Sequence, residues 1–96
     1  MSRDVRLRVF CYDISDNRRR RRIATLLEDY ATRVQESVFE ARLSLGSVQR
    51  ISKKVAVIMQ DSDSLRVYTI GRTGERACSV YGQGIPVENG EAYWLV

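Results

Sequence analysis

The stretch VRLRVFCYDISDNRRRRRIATLLEDY, residues 5–30, passes from one hydrophobic period to another and thereby decides the fold. Its first part alternates side chain by side chain, which is typical of a β-strand with one apolar face. Residues 13–17 interrupt the alternation with residue types that favour turns, and Asp16 or Asn17 is suited to cap a helix. Apolar residues then recur at helical spacing, so we predict an amphipathic helix over residues 17–30. These apolar residues are Ile23, Leu26, Leu27 and Tyr30.

The following segments alternate between the same two kinds of element. Thr32–Ser44 is rich in β-forming residues and about twice as long as a usual strand. We therefore expect two short strands, or one bent strand, with a break near Glu36. A second amphipathic helix follows, capped by Ser44 or Ser47. The remaining segments are predicted as a strand over Leu65–Ile70, a turn over residues 71–75 and another strand over residues 76–82.

This order of elements predicts an α+β protein, a ferredoxin-like βαββαβ sandwich with an extra C-terminal strand, in one domain over residues 1–96. Right-handed crossovers place both helices on one face of the sheet. We expect the other face to be bare and to carry Phe10 and Tyr12. An uncovered aromatic face calls for a partner, so we predict a homodimer joined through the sheets. The strand and tail of residues 76–96 are expected to pack on the partner protomer.

The composition limits the chemistry that is open to the chain. Its 96 residues include 16 Lys and Arg, 12 Asp and Glu, and no histidine, for a net charge of +4. Without histidine there is no Ser-His or Cys-His dyad and no histidine metal site. Cys11 and Cys78 lack metal-binding spacing and are predicted to be free thiols. We expect no signal peptide and no membrane segment, and hence a cytoplasmic protein.

Five consecutive arginines occupy the predicted helix start, where the helix dipole disfavours positive charge: Arg18, Arg19, Arg20, Arg21 and Arg22. Helical geometry places Arg19 and Arg20 beside the apolar stripe and turns Arg18, Arg21 and Arg22 away from it. A solvated helix surface explains one or two such residues. Five in succession favour a polyanion that relieves their repulsion, which predicts binding to RNA or duplex DNA.

Asp13 directly follows the first strand and has two possible roles. It can close an Asx turn, as aspartates often do after strands. Alternatively it can bind Mg²⁺ or another divalent cation, which needs few carboxylates because it retains several waters. Two copies of Asp13 across a two-fold axis would share one ion. A metal-activated water would then cut phosphodiesters while arginines neutralise the phosphate.

The stretch VFCYDISDNRRRRRIATLLEDYATRVQESVFEARLS, residues 9–44, resembles the small CRISPR-associated endoribonuclease family, the second of the two core spacer-acquisition proteins (Cas-two). The matching motifs are a strand ending in YDISD, an arginine-rich helix start, and RVQESVFE. The second half of the chain agrees in element order only. The uninterrupted arginine run exceeds the usual pattern of the family.

The resemblance implies a sheet-to-sheet homodimer, a divalent-metal site at Asp13 and work with the larger CRISPR integrase (Cas-one) in capturing new spacers. Members are described as metal-dependent nucleases on RNA or DNA, although spacer acquisition does not need that activity in at least part of the family. The resemblance implies a site near Tyr12, Asp13, Arg20, Arg22, Arg33 and Phe39. We predict Asp13 and Tyr12 for catalysis, Arg18–Arg22 and Arg33 for nucleic-acid binding, and Phe39 and Ser37 as supporting residues.

Three functions remain open on the sequence alone. The first is a metal-dependent endonuclease that depends on Asp13, and the second is a nucleic-acid scaffold that depends on Arg18–Arg22. The third is a toxin-like ribonuclease or RNA-binding module unrelated to CRISPR.

Overall fold

The protein, in a computed structural model that describes residues 5–87, is a four-stranded antiparallel sheet with two helices packed on one face. The predicted α+β class is confirmed. The strand order is β2-β3-β1-β4. The elements are β1 (Arg6–Asp13), α1 (Asn17–Glu28), β2 (Thr32–Gln35), β3 (Val38–Leu43), α2 (Leu45–Ile58), β4 (Ser64–Ile70) and α3 (Arg72–Ala77).

Each long helix connects two parallel strands that have a third strand between them. Strand β3 pairs antiparallel with both β1 and β2, so β1 and β2 run in the same direction and α1 joins them. Likewise β1 separates the parallel strands β3 and β4, which α2 joins. No helix formed by residues 5–87 has the length and apolar character that crossing a bilayer requires.

Local side-chain chemistry sets the element boundaries. The carboxylate of Asp16 accepts a hydrogen bond from the backbone N–H of Arg19 at 2.9 Å and caps α1. The hydroxyl of Ser44 accepts one from the N–H of Ser47 at 3.2 Å and caps α2 in the same way. Strands β2 and β3 are separated at Glu36 and Ser37, as the sequence predicted.

The two faces of β1 are the reverse of the prediction. Phe10 and Tyr12 are buried against the helices, whereas Val9, Cys11 and Asp13 lie on the sheet face that α1 and α2 leave uncovered. Alternation defines two faces but does not say which one the helices cover. The aromatic face is covered because Phe10, paired with Phe39, provides the larger surface to bury.

The core lies between this aromatic face and the two helices. Phe10 and Phe39 are fully buried in it. The helices contribute a stripe of buried apolar residues at the predicted spacing: Ile23, Ala24 and Leu27 from α1, and Val48, Ile51 and Val55 from α2.

One buried cation shares the helix-facing side of the sheet. Arg8 is 4% exposed, and its Nε donates to the carbonyl oxygen of Leu43 at 2.9 Å. Its Nη1 donates to Oγ1 of Thr69, also at 2.9 Å. Arg8 therefore links β1 to both of its neighbouring strands and has a structural role that composition did not reveal.

The region after β4 also departs from the prediction. Arg72–Ala77 forms α3 instead of a turn and the start of a strand, and residues 78–87 contain no strand. Glu75 of α3 forms an ion pair with Arg42, which lies on the uncovered face of β3 and anchors the short helix there. The rest of the predicted tail, residues 88–96, lies outside the described residues.

Asp63, in the turn before β4, holds the loop between β1 and α1. Its carboxylate accepts hydrogen bonds from the backbone N–H groups of Ser15 at 3.3 Å and Gln60 at 2.9 Å. It also accepts two from the guanidinium of Arg19, at 2.8 and 3.1 Å. These bonds lower the pKa of Asp63 from 3.8 to about 2, the Arg19 side chain being the largest cause.

We predict that this carboxylate makes stability depend on pH only in acid. The pKa of Asp63 is depressed in the folded state, so its stabilising contribution is complete above 3.8 and is lost as the pH falls towards about 2. Asp63→Asn should therefore lower the melting temperature at pH 6. The difference from the wild type should shrink between pH 4 and pH 2 in thermal unfolding followed by circular dichroism. A constant difference over that range would contradict the role assigned to the charge.

Candidate nucleic-acid interface and metal site

Asp13 ends β1 on the uncovered face of the sheet and is exposed. It lies opposite Ser64 in the register of β1 with β4. Within residues 5–87 its carboxylate has no hydrogen-bond or ion-pair partner. It is therefore free to bind a cation or a solvent molecule, and no Asx turn involves its side chain.

Residues 5–87 of a single chain do not form a complete metal site around Asp13. The described part of the chain contains no group of three or more acidic or cysteine side chains placed to hold an ion. Mg²⁺ requires octahedral oxygen ligation and readily keeps waters, so a single carboxylate fits it only as one ligand among several. The chemistry of this donor fits a divalent cation if a second copy supplies another carboxylate.

Tyr12 belongs to a packed aromatic unit on the other side of the sheet. Its ring stacks on Phe39 with 6.2 Å between centroids and an interplanar angle of 27°. Its hydroxyl donates to the carbonyl oxygen of Glu36 at 3.3 Å, and its backbone N–H donates to that of Ser37 at 3.1 Å. Burial raises the pKa of Tyr12, although the charge of Arg33 opposes the shift.

Arg33 completes this unit instead of pointing towards Asp13. Its Nε and Nη2 both donate to the carbonyl oxygen of Glu36, at 3.1 and 2.8 Å. Its guanidinium lies 5.5 Å from the ring centroid of Phe39, in cation–π contact. The predicted site residues Tyr12, Ser37, Phe39 and Arg33 therefore come together, but around the β2–β3 turn.

The five arginines of α1 divide into two groups, as helical geometry predicted. Arg19 and Arg20 are half-buried. Arg19 binds Asp63, and Nη1 of Arg20 donates to the carbonyl oxygen of Ile14 at 2.6 Å. Arg18, Arg21 and Arg22 are exposed. The second group is therefore the more accessible to a ligand.

The exposed arginines line a groove of about 810 Å³ between α1 and α2. Lys54 of α2 adds a fourth positive charge, and no acidic residue lines the groove. Its other lining residues are Thr25, Leu26, Val57 and Ile58. A smaller depression of about 390 Å³, beside the β2–β3 turn, mixes Arg20, Arg21 and Arg33 with Glu28 and Glu36. The α1–α2 groove is thus the more strongly positive of the two.

Two residues of these surfaces escaped the sequence analysis. Asp63 lies in the polar stretch DSDS, residues 61–64, whose alternating acidic residues are its one signal in the sequence. Lys54 was one lysine of a predicted amphipathic helix. The pairing of Asp63 with Arg19 spans 44 residues along the chain, so local sequence could not show it.

Comparison with known proteins identifies the family. The family model described as CRISPR associated protein Cas2 matches residues 6–77. A protein of Mycobacterium tuberculosis H37Rv named CRISPR-associated endoribonuclease Cas2 is 42% identical over 73 residues, which are 76% of this chain and 63% of that protein. A Synechocystis protein with the same family name is 41% identical over 78 residues, covering 80% of this chain and 85% of its own length.

Solved structures agree with this assignment. The crystal structure of a hypothetical protein from Thermus thermophilus superposes with a TM-score of 0.77 at 34% identity, covering 88% of this chain and 99% of its own. A chain of a partial Cas6-RT-Cas1–Cas2 complex has a TM-score of 0.72 at 22% identity, covers 95% and 99%, and shares the fold. The family match over residues 6–77 takes in the strand-end aspartate and all five arginines, and this chain belongs to the CRISPR-associated protein Cas2 family.

Proposed function

We propose that the chain acts in CRISPR spacer acquisition as a dimeric, cytoplasmic scaffold that binds nucleic acid and assembles with the Cas1 integrase. The observation that carries the proposal is the groove of exposed arginines on a member of the Cas2 family. The chain matches about 63% of the length of the Mycobacterium relatives. The activity and partners of those longer proteins are therefore proposals for this chain.

Electrostatics supports nucleic acid as the ligand. The net charge is +4, and Arg18, Arg21 and Arg22 place three positive charges on one side of one helix. Guanidinium groups contact phosphate oxygens in bidentate fashion and release condensed counterions when they do so. These contacts give affinity and orientation without sequence preference.

The uncovered sheet face supports a homodimer of this ferredoxin-like sandwich. Val9 and Cys11 lie there half-buried, and Tyr68 of β4 is 47% exposed beside them. This face combines apolar residues with the charged Glu40, Arg42 and Arg66, and the part that α3 does not occupy is suited to an isologous contact with a second copy. Such a dimer would bring the two copies of Asp13, on the same face, towards each other.

A second candidate function, metal-dependent cleavage of RNA or DNA, depends on Asp13. The relatives in Mycobacterium and Synechocystis are named endoribonucleases. A divalent cation held by the two carboxylates would activate a water towards the phosphodiester. The catalytic role predicted for Tyr12 requires its hydroxyl to leave the carbonyl of Glu36, so we assign the cation-binding role to Asp13 alone.

Assembly with Cas1 is supported by the fold shared with the chain solved in the Cas1-containing complex. Membership of the Cas2 family removes the reason to treat the chain as an unrelated toxin-like ribonuclease.

We predict that the triple change Arg18→Gln, Arg21→Gln and Arg22→Gln abolishes spacer uptake in cells and weakens DNA binding in vitro. The plot of log affinity against log salt has a negative slope, and loss of three phosphate contacts should reduce the magnitude of that slope by about 2 to 3. The matched control replaces Arg50, Lys53 and Arg72, which are exposed outside the groove, with glutamine. Equal losses in the two triple variants would contradict a role for this groove.

We expect Asp13→Asn to separate cleavage from spacer acquisition. Loss of even an outer partner of a catalytic metal costs about 10–100-fold, so loss of the ligand itself should exceed that range. Mg²⁺-dependent cleavage of labelled RNA and DNA measures the effect, and spacer uptake should persist. Undiminished cleavage by the variant would remove Asp13 from the site, and loss of uptake would make the cation essential to the scaffold.

The proposed dimer can be tested on the uncovered face. Val9→Glu places a charge among apolar groups of that face and should convert the dimer into a monomer in analytical ultracentrifugation. Val57→Glu, on the helical side at an 85% exposed position, is the matched control and should remain dimeric. A wild type that sediments as a monomer at working concentration would contradict the dimer itself.

A further inference from the structure

The carboxylate of Asp63 binds one of the five arginines of α1, Arg19, and so limits which of them can contact a ligand. It accepts four hydrogen bonds, from Ser15, Gln60 and the two nitrogens Nε and Nη2 of Arg19. The side chain of Asp63 is 0% exposed and that of Arg19 is 22% exposed. The pair is therefore shielded and bidentate, which distinguishes it from a mobile surface ion pair.

This pairing compensates the charge of Arg19 and fixes its direction. A phosphate could recruit Arg19 only if both hydrogen bonds to Asp63 were broken and a shielded carboxylate were left with an unpaired charge. Arg20 is tethered separately, through the 2.6 Å bond to the carbonyl of Ile14. Two of the five arginines therefore have fixed partners, Arg19 in the turn before β4 and Arg20 in the loop between β1 and α1.

The other three form a row along a different side of α1. Arg18, Arg21 and Arg22 have the spacing i, i+3 and i+4, which aligns side chains on one side of a helix. The row lines the groove with Lys54, whose Nζ donates to the hydroxyl of Tyr30 at 2.7 Å. The same Nζ lies 5.2 Å from the centroid of the Tyr30 ring, so an aromatic residue, and not a carboxylate, orients Lys54.

We propose that the phosphate-binding surface of this chain consists of Arg18, Arg21 and Arg22 of α1 with Lys54 of α2, and that Asp63 is a positioning residue which keeps Arg19 out of it. The proposal deepens the nucleic-acid-binding function proposed above and rests on it. It adds one cation from a second helix, Lys54, and excludes two of the five consecutive arginines, Arg19 and Arg20.

The groove favours the backbone of a duplex over a single strand. Beside its four cations the groove is lined by Thr25 and by the aliphatic residues Leu26, Val57 and Ile58, and none of the residues found to line it is aromatic. Single-strand binding relies on aromatic side chains that stack with bases, whereas the bases of a duplex are stacked inside it and its exterior is dominated by the phosphate backbones. The groove also lies on the helical layer, across the sheet from Asp13, so binding and any cleavage use separate surfaces.

The test compares the salt dependence of binding among single variants, with a short DNA duplex of fixed sequence followed by fluorescence anisotropy. Each phosphate contact adds about 0.9 to the magnitude of the negative slope of log affinity against log salt, and "slope" below means this magnitude. We expect Arg18→Gln, Arg21→Gln, Arg22→Gln and Lys54→Gln each to lower the slope by about that amount. Arg19→Gln should leave it unchanged, as should the matched control Lys53→Gln on the exposed surface of α2 outside the groove.

Release of Arg19 should change the slope of log affinity against log salt, which would stay constant if Asp63 had a purely structural role. Asp63→Asn should raise the slope by about 0.9, because the freed guanidinium becomes able to contact phosphate. The double variant Asp63→Asn with Arg19→Gln should return to the wild-type slope. Circular dichroism and sedimentation identify variants that remain folded, and Asp63→Glu provides a second, charge-retaining variant, expected to keep the wild-type slope.

Failure of the inference and failure of the proposed function are distinguishable. A wild type without salt-dependent binding to any nucleic acid overturns the function and the inference together. Binding in which Arg19→Gln lowers the slope as much as Arg18→Gln, or in which folded Asp63→Asn does not raise it, overturns only the inference. Tighter binding of a single strand, or equal binding of polyglutamate, overturns the assignment of the groove to a duplex.

Discussion

The alternation of side chains along β1 is the constraint on which the rest of the molecule depends. It sends Phe10 and Tyr12 into the layer of helices and leaves Asp13 on the uncovered face. Because consecutive residues of a strand face opposite ways, neighbours in the motif YDIS serve different purposes. The aromatic residue holds α1, α2 and the β2–β3 turn in place, while the acidic residue next to it remains free to meet a cation or a second protomer.

Two carboxylates hold the loop between β1 and α1 in place. Asp16 caps α1, and Asp63 reaches the same loop from the turn before β4. Two carboxylates thus accompany the five arginines, one at the helix end and one at Arg19. These two carboxylates explain how the helix start tolerates five positive charges. Asp63 compensates the charge of Arg19, and Arg18, Arg21 and Arg22 lie along the groove between α1 and α2.

Periodicity predicted most of the fold, because strands and helices of ordinary length leave a regular apolar pattern. It did not predict which face of β1 the helices cover, since Val9 and Phe10 are both apolar and only packing decides between them. It missed α3, which is too short for a periodic signal and is held by the contact of Glu75 with Arg42. At the candidate site, the direction of each arginine followed from helix geometry. The partner of Arg19 did not, because it lies 44 residues away.

The absence of any acidic residue from the first turn of α1 has a thermodynamic consequence. Like charges three or four residues apart on a helix each cost about 0.2–0.5 kcal/mol, and Arg18 forms such pairs with both Arg21 and Arg22. The unliganded protein therefore stores a modest amount of repulsion that a bound anion relieves. Ligation and folding are then coupled through mass action: multivalent anions of any origin should raise the melting temperature of this domain, and the empty protein is its least stable form.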